Sequence, residues 1–155
     1  MKTKLYLPII SLLAMSVFAF ISCDDSDSDT TKPVIVINEP EDGGAIKTGS
    51  LLHLDMDLSD DVMVASYKVD IHNNFDGHTH TSASTRADGD SITFTYNQSF
   101  DVNQKNHHVH DHIEIPILAR QGKYHVVVYC TDTSGNESYV AKSVVFDANA
   151  EEDVD

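Results

Sequence analysis

The chain has 155 residues, of which 25 are acidic and 10 basic, and its net charge is −15 at neutral pH. Such an excess of negative charge repels nucleic acids and anionic membrane surfaces, and it attracts cations. The sequence contains no basic patch and no tryptophan, and we therefore exclude nucleic-acid binding. The only two cysteines are Cys23 and Cys130, so if Cys23 is acylated no internal disulfide can form, and an exported domain would have to be stabilised by its own hydrophobic core.

Residues 1–22 have the pattern of an export signal. Lys2 and Lys4 precede an apolar stretch, residues 5–21, which ends at Ser22-Cys23 without an A-x-A cleavage site. Ser22-Cys23 resembles the end of a bacterial lipobox, and this resemblance implies that Cys23 becomes the lipid-carrying first residue of the mature protein. The alternative is an uncleaved anchor helix, but an apolar run of ~17 residues is at the lower limit for a membrane span.

Residues 23–32 are interpreted as an acidic linker that begins at the lipidated cysteine. Their charged and polar composition is typical of a flexible, solvated tether. The acidic run after Cys23 resembles the export signal of surface lipoproteins in Bacteroidota-type bacteria. We therefore expect an outer-membrane lipoprotein that is exposed at the cell surface, with the periplasmic face as the alternative. In either case it would contact the membrane only through its lipid anchor.

Residues 33–148 show short alternating runs of β-branched and other apolar residues, separated by turns rich in Gly, Asn, Asp and Ser. Strands are predicted at 34–37, 52–58, 64–72, 92–96, 107–117, 124–130 and 138–146, with a turn at Ser59-Asp60-Asp61. About seven strands in a segment of this length predict an all-β fold, an immunoglobulin-like β-sandwich. Residues 149–155 are expected to form an acidic disordered tail. Cys130 alternates with Val126 and Val128, which predicts a small buried hydrophobe.

The segment from Gly122 to Asn136 is similar to the G-x-Y-x-V-x-V-x-x-x-D-x-x-G-N signature of bacterial immunoglobulin-like modules. The positions that match are structural ones, namely Gly122, Tyr124, Asp132, Gly135 and Asn136. Together with the lipobox and an H-x-H-x-H strand, the chain resembles a family of small lipoproteins of unknown function from Bacteroidota-type bacteria over residues 1–147. This resemblance implies a fold and a location, and it implies no activity.

Histidine is the most informative residue type, since the chain contains nine and most of them are clustered. In an extended strand, His108, His110, His112 and Glu114 would face one side, whereas Val109, Ile113, Ile115 and Ile117 would face the other. A second cluster, residues 72–80, adds further imidazoles. Neutral imidazoles grouped with carboxylates form the sites that bind zinc, copper or nickel. The predicted metal ligands are His78, His80, His108, His110, His112, His72 and Glu114.

Strand geometry limits how these ligands can combine. Imidazoles at alternate positions lie ~6.5–7 Å apart along a strand, so two can share one ion and a third requires a bend. We therefore expect two ligands from the His-rich strand and one or two from elsewhere, with zinc or copper favoured. His53 and His125 are expected at the surface. Calcium is ranked below these metals, because the oxygen ligands around Asp60-Asp61 and Asp132-x-x-Gly135-Asn136 match no EF-hand spacing and turn formation explains them equally well.

The expected function is capture, buffering or delivery of zinc or copper at the cell envelope, with an envelope transporter or another surface protein as candidate partner. Affinity should fall as the pH drops through ~6.5, because an imidazole must be neutral to bind a metal. The alternative is a surface adhesion or protein-contact module in which the histidines are incidental. No G-x-S-x-G or H-E-x-x-H motif is present, and we therefore expect no enzyme.

Overall fold

The computed structural model describes residues 29–75 and 91–151, and these two ranges form an all-β domain. Their six strands are β1 (Val34–Glu39), β2 (Gly44–Lys47), β3 (Leu51–Asn73), β4 (Tyr96–Glu114), β5 (Gly122–Asp132) and β6 (Glu137–Asp147). Since the described ranges contain strands and no helix, the predicted all-β class is confirmed. No helix in the described ranges is long and apolar enough to cross a membrane.

β3 and β4 form a long antiparallel ribbon that contributes to both layers of the sandwich. Residues 51–59 of β3 pair with β1 on one side and with residues 106–114 of β4 on the other. From Val64 onwards, β3 pairs with the first half of β4 and with β5. β5 continues the second layer to β6, and β2 adds to β6 in parallel. The result is an immunoglobulin-like β-sandwich, as predicted.

A bulged corner in β3 changes which residues face the core. Before the bulge the buried apolar row is Leu52, Leu54, Met56 and Leu58, whereas after it the buried apolar row is Tyr67, Val69 and Ile71. Because side chains alternate between faces, this change from even to odd positions requires extra residues in the strand. The register against β4 shifts twice between Ser59 and Ser66, which supplies them. The ribbon can therefore bend from one layer to the other without losing the correct inward face.

Several predicted strand boundaries are wrong. Residues 59–61 do not separate two strands by a turn, since β3 continues through them. The predicted strands at 92–96 and 107–117 are one strand, β4, except that Ile92 forms only an isolated bridge and Ile117 lies beyond the strand end, 71% exposed. The short strand β2 was not predicted. Most residues in 97–106 are polar and most of them pair through their backbones with β3, and a hydrophobic pattern does not detect such pairing.

An aromatic stack lies in the hydrophobic core where β5 meets β6. The rings of Tyr124 and Phe146, both fully buried, stack with centroids 4.0 Å apart, and the Tyr124 hydroxyl donates a hydrogen bond to the carbonyl oxygen of Arg120 at 2.8 Å. At Gly122, whose φ is +132°, an added Cβ would lie 2.7 Å from the Phe75 ring. This position of the sequence signature therefore requires glycine. The signature residues at the start of β5 have structural roles, as predicted.

Cys130 is buried on the inner face of β5, as predicted. Burial, together with the negative charges of Asp60 and Asp132, raises the pKa of its thiol to about 11. The thiolate is the nucleophilic form of cysteine, so this thiol is unreactive at neutral pH.

Candidate metal sites

A row of imidazoles and carboxylates lies on the outer face of the layer formed by β1, the first half of β3 and the second half of β4. The register of β3 against β4 places each β3 residue of this row opposite one β4 histidine. The three pairs are His53 with His112, Asp55 with His110, and Asp57 with His108. We call these six residues the histidine–aspartate ladder. It faces outwards because most of the residues at the alternate positions of both strands are apolar and buried, with the half-buried Asp111 as the polar exception on β4.

The centre of the ladder holds three potential ligands at short range. One oxygen of Asp55, Oδ2, lies 3.5 Å from His110 Nδ1 and 3.6 Å from His108 Nε2. On the other side of the His108 ring, Nδ1 lies 3.1 Å from Asp57 Oδ1. The side chains of His108 and His110 are 57% and 50% exposed, so both rings can rotate and can be reached from solvent.

Asp55 is held in its ionised form. Asn38 on β1 donates a hydrogen bond to Asp55 Oδ1 at 2.6 Å. This bond is the largest influence on the carboxyl group and, with the hydrogen bond to His110 and the charge of His108, it holds the pKa of Asp55 below its usual value against the opposing effect of burial. Because Asn38 occupies Oδ1, the other oxygen remains directed at the two imidazoles. The ladder therefore presents a carboxylate between two imidazoles at neutral pH.

One end of the ladder is more compact. The rings of His53 and His112 meet edge to face with centroids 4.5 Å apart, and His110 meets His112 in the same way at 5.2 Å. His53 was predicted to be a surface residue, and this is wrong, since only 8% of it is exposed. Its position faces outwards, but the edge-to-face contact with His112 helps to cover it. Glu114 lies exposed at the end of β4, on the same face as His112.

A second histidine pair lies on the outer face of the other layer. His72 on β3 is opposite His125 on β5, and their rings meet at 88° with centroids 5.7 Å apart. Asp70 Oδ1 lies 2.7 Å from His72 Nδ1, and Asn74 Nδ2 lies 2.8 Å from His125 Nε2. His72 is thus separated from the ladder by the thickness of the sandwich. His78 and His80, like Cys23, lie outside the described residues.

His125 was predicted to be a surface residue, and this is wrong. β5 is an inner strand between β3 and β6. Val127, on the same face as His125, is fully buried, and His125 itself is 7% exposed. Alternation identifies the two faces of such a strand, but it does not show that both are covered.

Three carboxylates converge at one end of the sandwich, and we call them the aspartate triad: Asp29, Asp60 and Asp132. Each offers an oxygen within 4.8 Å of the others, and no other set of three histidine, cysteine or acidic residues in 29–75 and 91–151 does so. Asp60 and Asp132 are 7% and 2% exposed, and Asp29 is half-buried. In the ladder, potential ligand atoms come within this 4.8 Å limit of one another only in pairs.

Alternation explains why two of these acids are buried. Asp60 is the next even position after Leu58, and Asp132 is the next after Cys130, so both continue an inward-facing row. Both residues were predicted mainly as turn-forming residues, although an acidic residue that continues a buried row in the sequence indicates a buried carboxylate. Asp29 was missed, because it precedes β1 and nothing in its neighbourhood along the chain indicates what it approaches.

Hydrogen bonds fix two of the three carboxylates. Asp132 Oδ1 accepts the backbone amides of Ser134 and Asn136, both at 2.8 Å, and its Oδ2 accepts Asn136 Nδ2 at 2.7 Å. Burial acts to raise the pKa of Asp132, but these bonds together hold it below its usual value. Asp60 Oδ1 accepts the amides of Val62 and Met63 at 2.9 and 2.7 Å. Both hydrogen bonds go to Oδ1 of Asp60, so neither amide contacts its Oδ2.

Comparison with known structures shows similarity of fold. OgpA from Akkermansia muciniphila is 12% identical with a TM-score of 0.50, over 82% of this chain and 32% of that chain. This chain therefore spans about a third of the length of OgpA. Fibronectin(III)-like modules of CbhA from Clostridium thermocellum are 12% identical with a TM-score of 0.43, over 76% and 100% of the two chains.

A CARDB domain from Pyrococcus furiosus in complex with di-metal ions is 12% identical with a TM-score of 0.40, over 79% of this chain and 97% of that chain. A comparison with curated proteins gives no match. Residues 21–146 match the family described as a domain of unknown function, DUF4625. This match covers most of the chain, and the protein therefore belongs to the DUF4625 family.

Proposed function

We propose that this protein is a lipid-anchored module of the cell envelope that binds zinc or copper at the histidine–aspartate ladder. The observation that carries the proposal is the position of Asp55 Oδ2, at 3.5 and 3.6 Å from nitrogens of His110 and His108. Two imidazoles and a carboxylate are a donor set that zinc and copper accept and that magnesium does not favour. The role is one of binding rather than catalysis.

Two of the three distances between the ligand atoms are close to those of a tetrahedral site, whereas the two imidazole nitrogens lie more than 4.8 Å apart. Ligands bound at ~2.0–2.1 Å to one zinc ion lie ~3.3–3.4 Å from each other. The two contacts of Asp55 need to shorten by only a few tenths of an ångström, as judged from the same ligand distances. The remaining movement is a rotation that brings the two imidazole nitrogens together, and the exposure of both rings permits it. Water or His112 would complete the coordination.

An open site on an exposed sheet face suits capture, buffering or delivery better than a structural role. Structural zinc sites are closed and use four protein ligands, whereas this site supplies three and leaves a position accessible. A transporter or another envelope protein could therefore reach the metal from solvent. The protein's negative net charge would also concentrate cations near it.

Calorimetric titration of the full chain with zinc and copper, in detergent and without a histidine tag, tests this function. We expect the double substitution His108→Ala/His110→Ala to weaken zinc binding by at least about 100-fold, because it removes two of three ligands. The control is His107→Gln, which changes the neighbouring imidazole on the opposite side of β4, 6.1 Å from the Tyr67 ring. Its affinity should stay within about threefold of wild type. Unchanged affinity in the double variant would exclude the ladder as the site. His78→Ala/His80→Ala tests the predicted ligands outside the described residues in the same way.

The lipid anchor is tested by substitution of Cys23. We expect Cys23→Ser to move the protein from the membrane fraction to the soluble fraction and to abolish labelling by a fatty-acid analogue, because the thiol carries the lipid. The matched control is Cys130→Ser, which changes the chain's other cysteine, buried in the core. This control should fractionate with membranes as wild type does. Membrane association of the Cys23 variant would contradict a lipidated cysteine. Protease treatment of intact cells that carry the wild-type protein separately distinguishes surface from periplasmic exposure.

A protein-contact module is the second candidate function, and the exposed side of β1 favours it. β1 ends the order of the described strands, and its outward residues Val34 and Val36 are 55% and 50% exposed. An edge strand with exposed apolar side chains is suited to pairing with another protein. This function predicts that the ladder variants leave partner binding intact. It becomes the better supported of the two if neither zinc nor copper changes the melting temperature.

A further inference from the structure

The aspartate triad joins three separate parts of the chain at one end of the sandwich. Asp29 precedes β1, Asp60 lies in the bulged corner of β3, and Asp132 ends β5. The backbone carbonyl of Asp29 accepts a hydrogen bond from Asn136 Nδ2 at 3.0 Å, and the same amide group donates to Asp132. Asn136 therefore holds the segment before β1 against the turn that follows β5, and this brings the carboxylates together.

Two carboxylate oxygens in the triad are buried without a hydrogen-bond donor. Oδ2 of Asp29 and Oδ2 of Asp60 have no partner among the described residues, although the other oxygen of each accepts backbone amides. Asp60 is more than nine-tenths buried. A buried carboxylate oxygen without a donor is destabilising, and the negative charges of the three carboxylates also repel one another at this distance. No lysine or arginine forms an ion pair with them in the described part of the chain. A bound cation would remove both penalties.

The chemistry and the size of the cluster select the cation. All donors are oxygens, which hard cations prefer and which zinc and copper bind less readily than imidazole. Calcium binds oxygens at 2.3–2.6 Å, so two of its ligands can lie at most ~5 Å apart. The mutual limit of 4.8 Å within the triad fits this sphere. Magnesium dehydrates reluctantly and is usually bound through one or two carboxylates and several waters, so a cluster of three carboxylates favours calcium.

We propose that the aspartate triad binds one calcium ion, which fastens the segment before β1 to the end of the sandwich. Asp60 and Asp132 supply ligands from the domain, Asp29 supplies one from the segment that leads into it, and water completes the coordination. Calcium would thereby control how the domain is held relative to the chain that precedes Asp29. This site is independent of the ladder, since it shares no ligand with it and uses a different class of cation.

Calcium titration of the full chain by calorimetry tests the proposal. We expect one ion per chain and a rise in melting temperature of about 5–10 °C when calcium exceeds its dissociation constant 100-fold. Asp60→Asn keeps the acceptor for the amides of Val62 and Met63 while it removes the charge, and it should weaken binding at least about 10-fold. Asp29→Asn should do the same, and it lies outside the strands, so it remains informative if the first variant folds poorly.

The matched control is Asp61→Asn, which removes an exposed charge next to the site, where Asp61 Oδ2 accepts the Thr31 hydroxyl at 3.3 Å. Its calcium affinity should change by less than about threefold. Hydrogen exchange gives a second readout, since calcium should slow amide exchange in residues 29–32 at least about 10-fold, and only in chains that keep all three aspartates.

Absence of calcium binding, or equal binding by the Asp29 and Asp61 variants, would overturn the proposal. The test also separates this site from the ladder. The His108→Ala/His110→Ala variant should bind calcium as wild type does, and the Asp60→Asn variant should bind zinc as wild type does.

Discussion

Zinc affinity is expected to fall about 1000-fold between pH 7.5 and pH 5.0, if the ladder supplies two imidazole ligands. An imidazole coordinates a metal only when neutral, and histidine ordinarily titrates at pH ~6.5. At pH 5.0 about 3% of such a group is neutral, so a site that needs two of them loses affinity by about the square of that fraction. Metal binding therefore releases protons, and acid releases the metal. Since Asn38 and the histidines hold the pKa of Asp55 below its usual value, its carboxylate stays ionised over this range and does not contribute to the loss.

Calorimetry in two buffers of different ionisation enthalpy measures this effect directly, because it counts the protons released per zinc bound. We expect close to two protons at pH 5.0 for wild type and one for His110→Ala, whose affinity should fall only about 30-fold over the same range. Calcium binding at the aspartate triad provides the internal control, since no imidazole belongs to it. A zinc affinity that does not change between pH 7.5 and pH 5.0 would exclude imidazole ligation.

The sequence was sufficient to predict the residues that face outward on the second half of β4. Val109, Ile113 and Ile115 are buried and His108, His110 and His112 are exposed, as strict alternation requires. The outward-facing residues of the opposite strand could also be predicted, since Asp55 and Asp57 alternate with a buried row. The register between the two strands could not be predicted from the sequence. Register depends on contacts between residues about 50 positions apart, and no local pattern encodes which aspartate meets which histidine.

The bend in the β3–β4 ribbon limited the strand predictions. Ser59-Asp60-Asp61 has the composition of a turn, yet the backbone continues in the strand and takes up the polar residues as a bulge. The same event buries Asp60 and directs its carboxylate to Asp132. A residue type that favours turns when exposed can thus become a buried strand residue when tertiary contacts keep the strand continuous. The composition of the segment does not distinguish these two outcomes.

The substitution Phe146→Ala is expected to lower the free energy of unfolding by about 3–5 kcal/mol, a large part of the roughly 5–15 kcal/mol typical of a domain. Phe146 is fully buried, it stacks on Tyr124 at 4.0 Å, and it also meets the ring of Phe94 at 5.9 Å. Its removal leaves a cavity between rings that cannot collapse easily, because Tyr124 is held by its hydrogen bond to Arg120. Urea unfolding followed by circular dichroism measures the loss as a shift of the midpoint.

Tyr139→Ala is the control for this loss, since Tyr139 is an aromatic residue on the same strand but is 60% exposed. It should lower the free energy of unfolding by less than about 1 kcal/mol. Equal losses in the two variants would show that the core is not centred on the Tyr124–Phe146 stack.

A large loss specific to Phe146→Ala would also affect both proposed metal sites, because Asp55, Asp57 and Asp60 all lie on β3 and depend on the same folded sandwich. Zinc and calcium should each raise the midpoint of this weakened variant, since a ligand that binds only the folded state stabilises it by mass action. Each metal should lose that effect only when its own ligands are substituted, so the destabilised variant reports on the two sites independently.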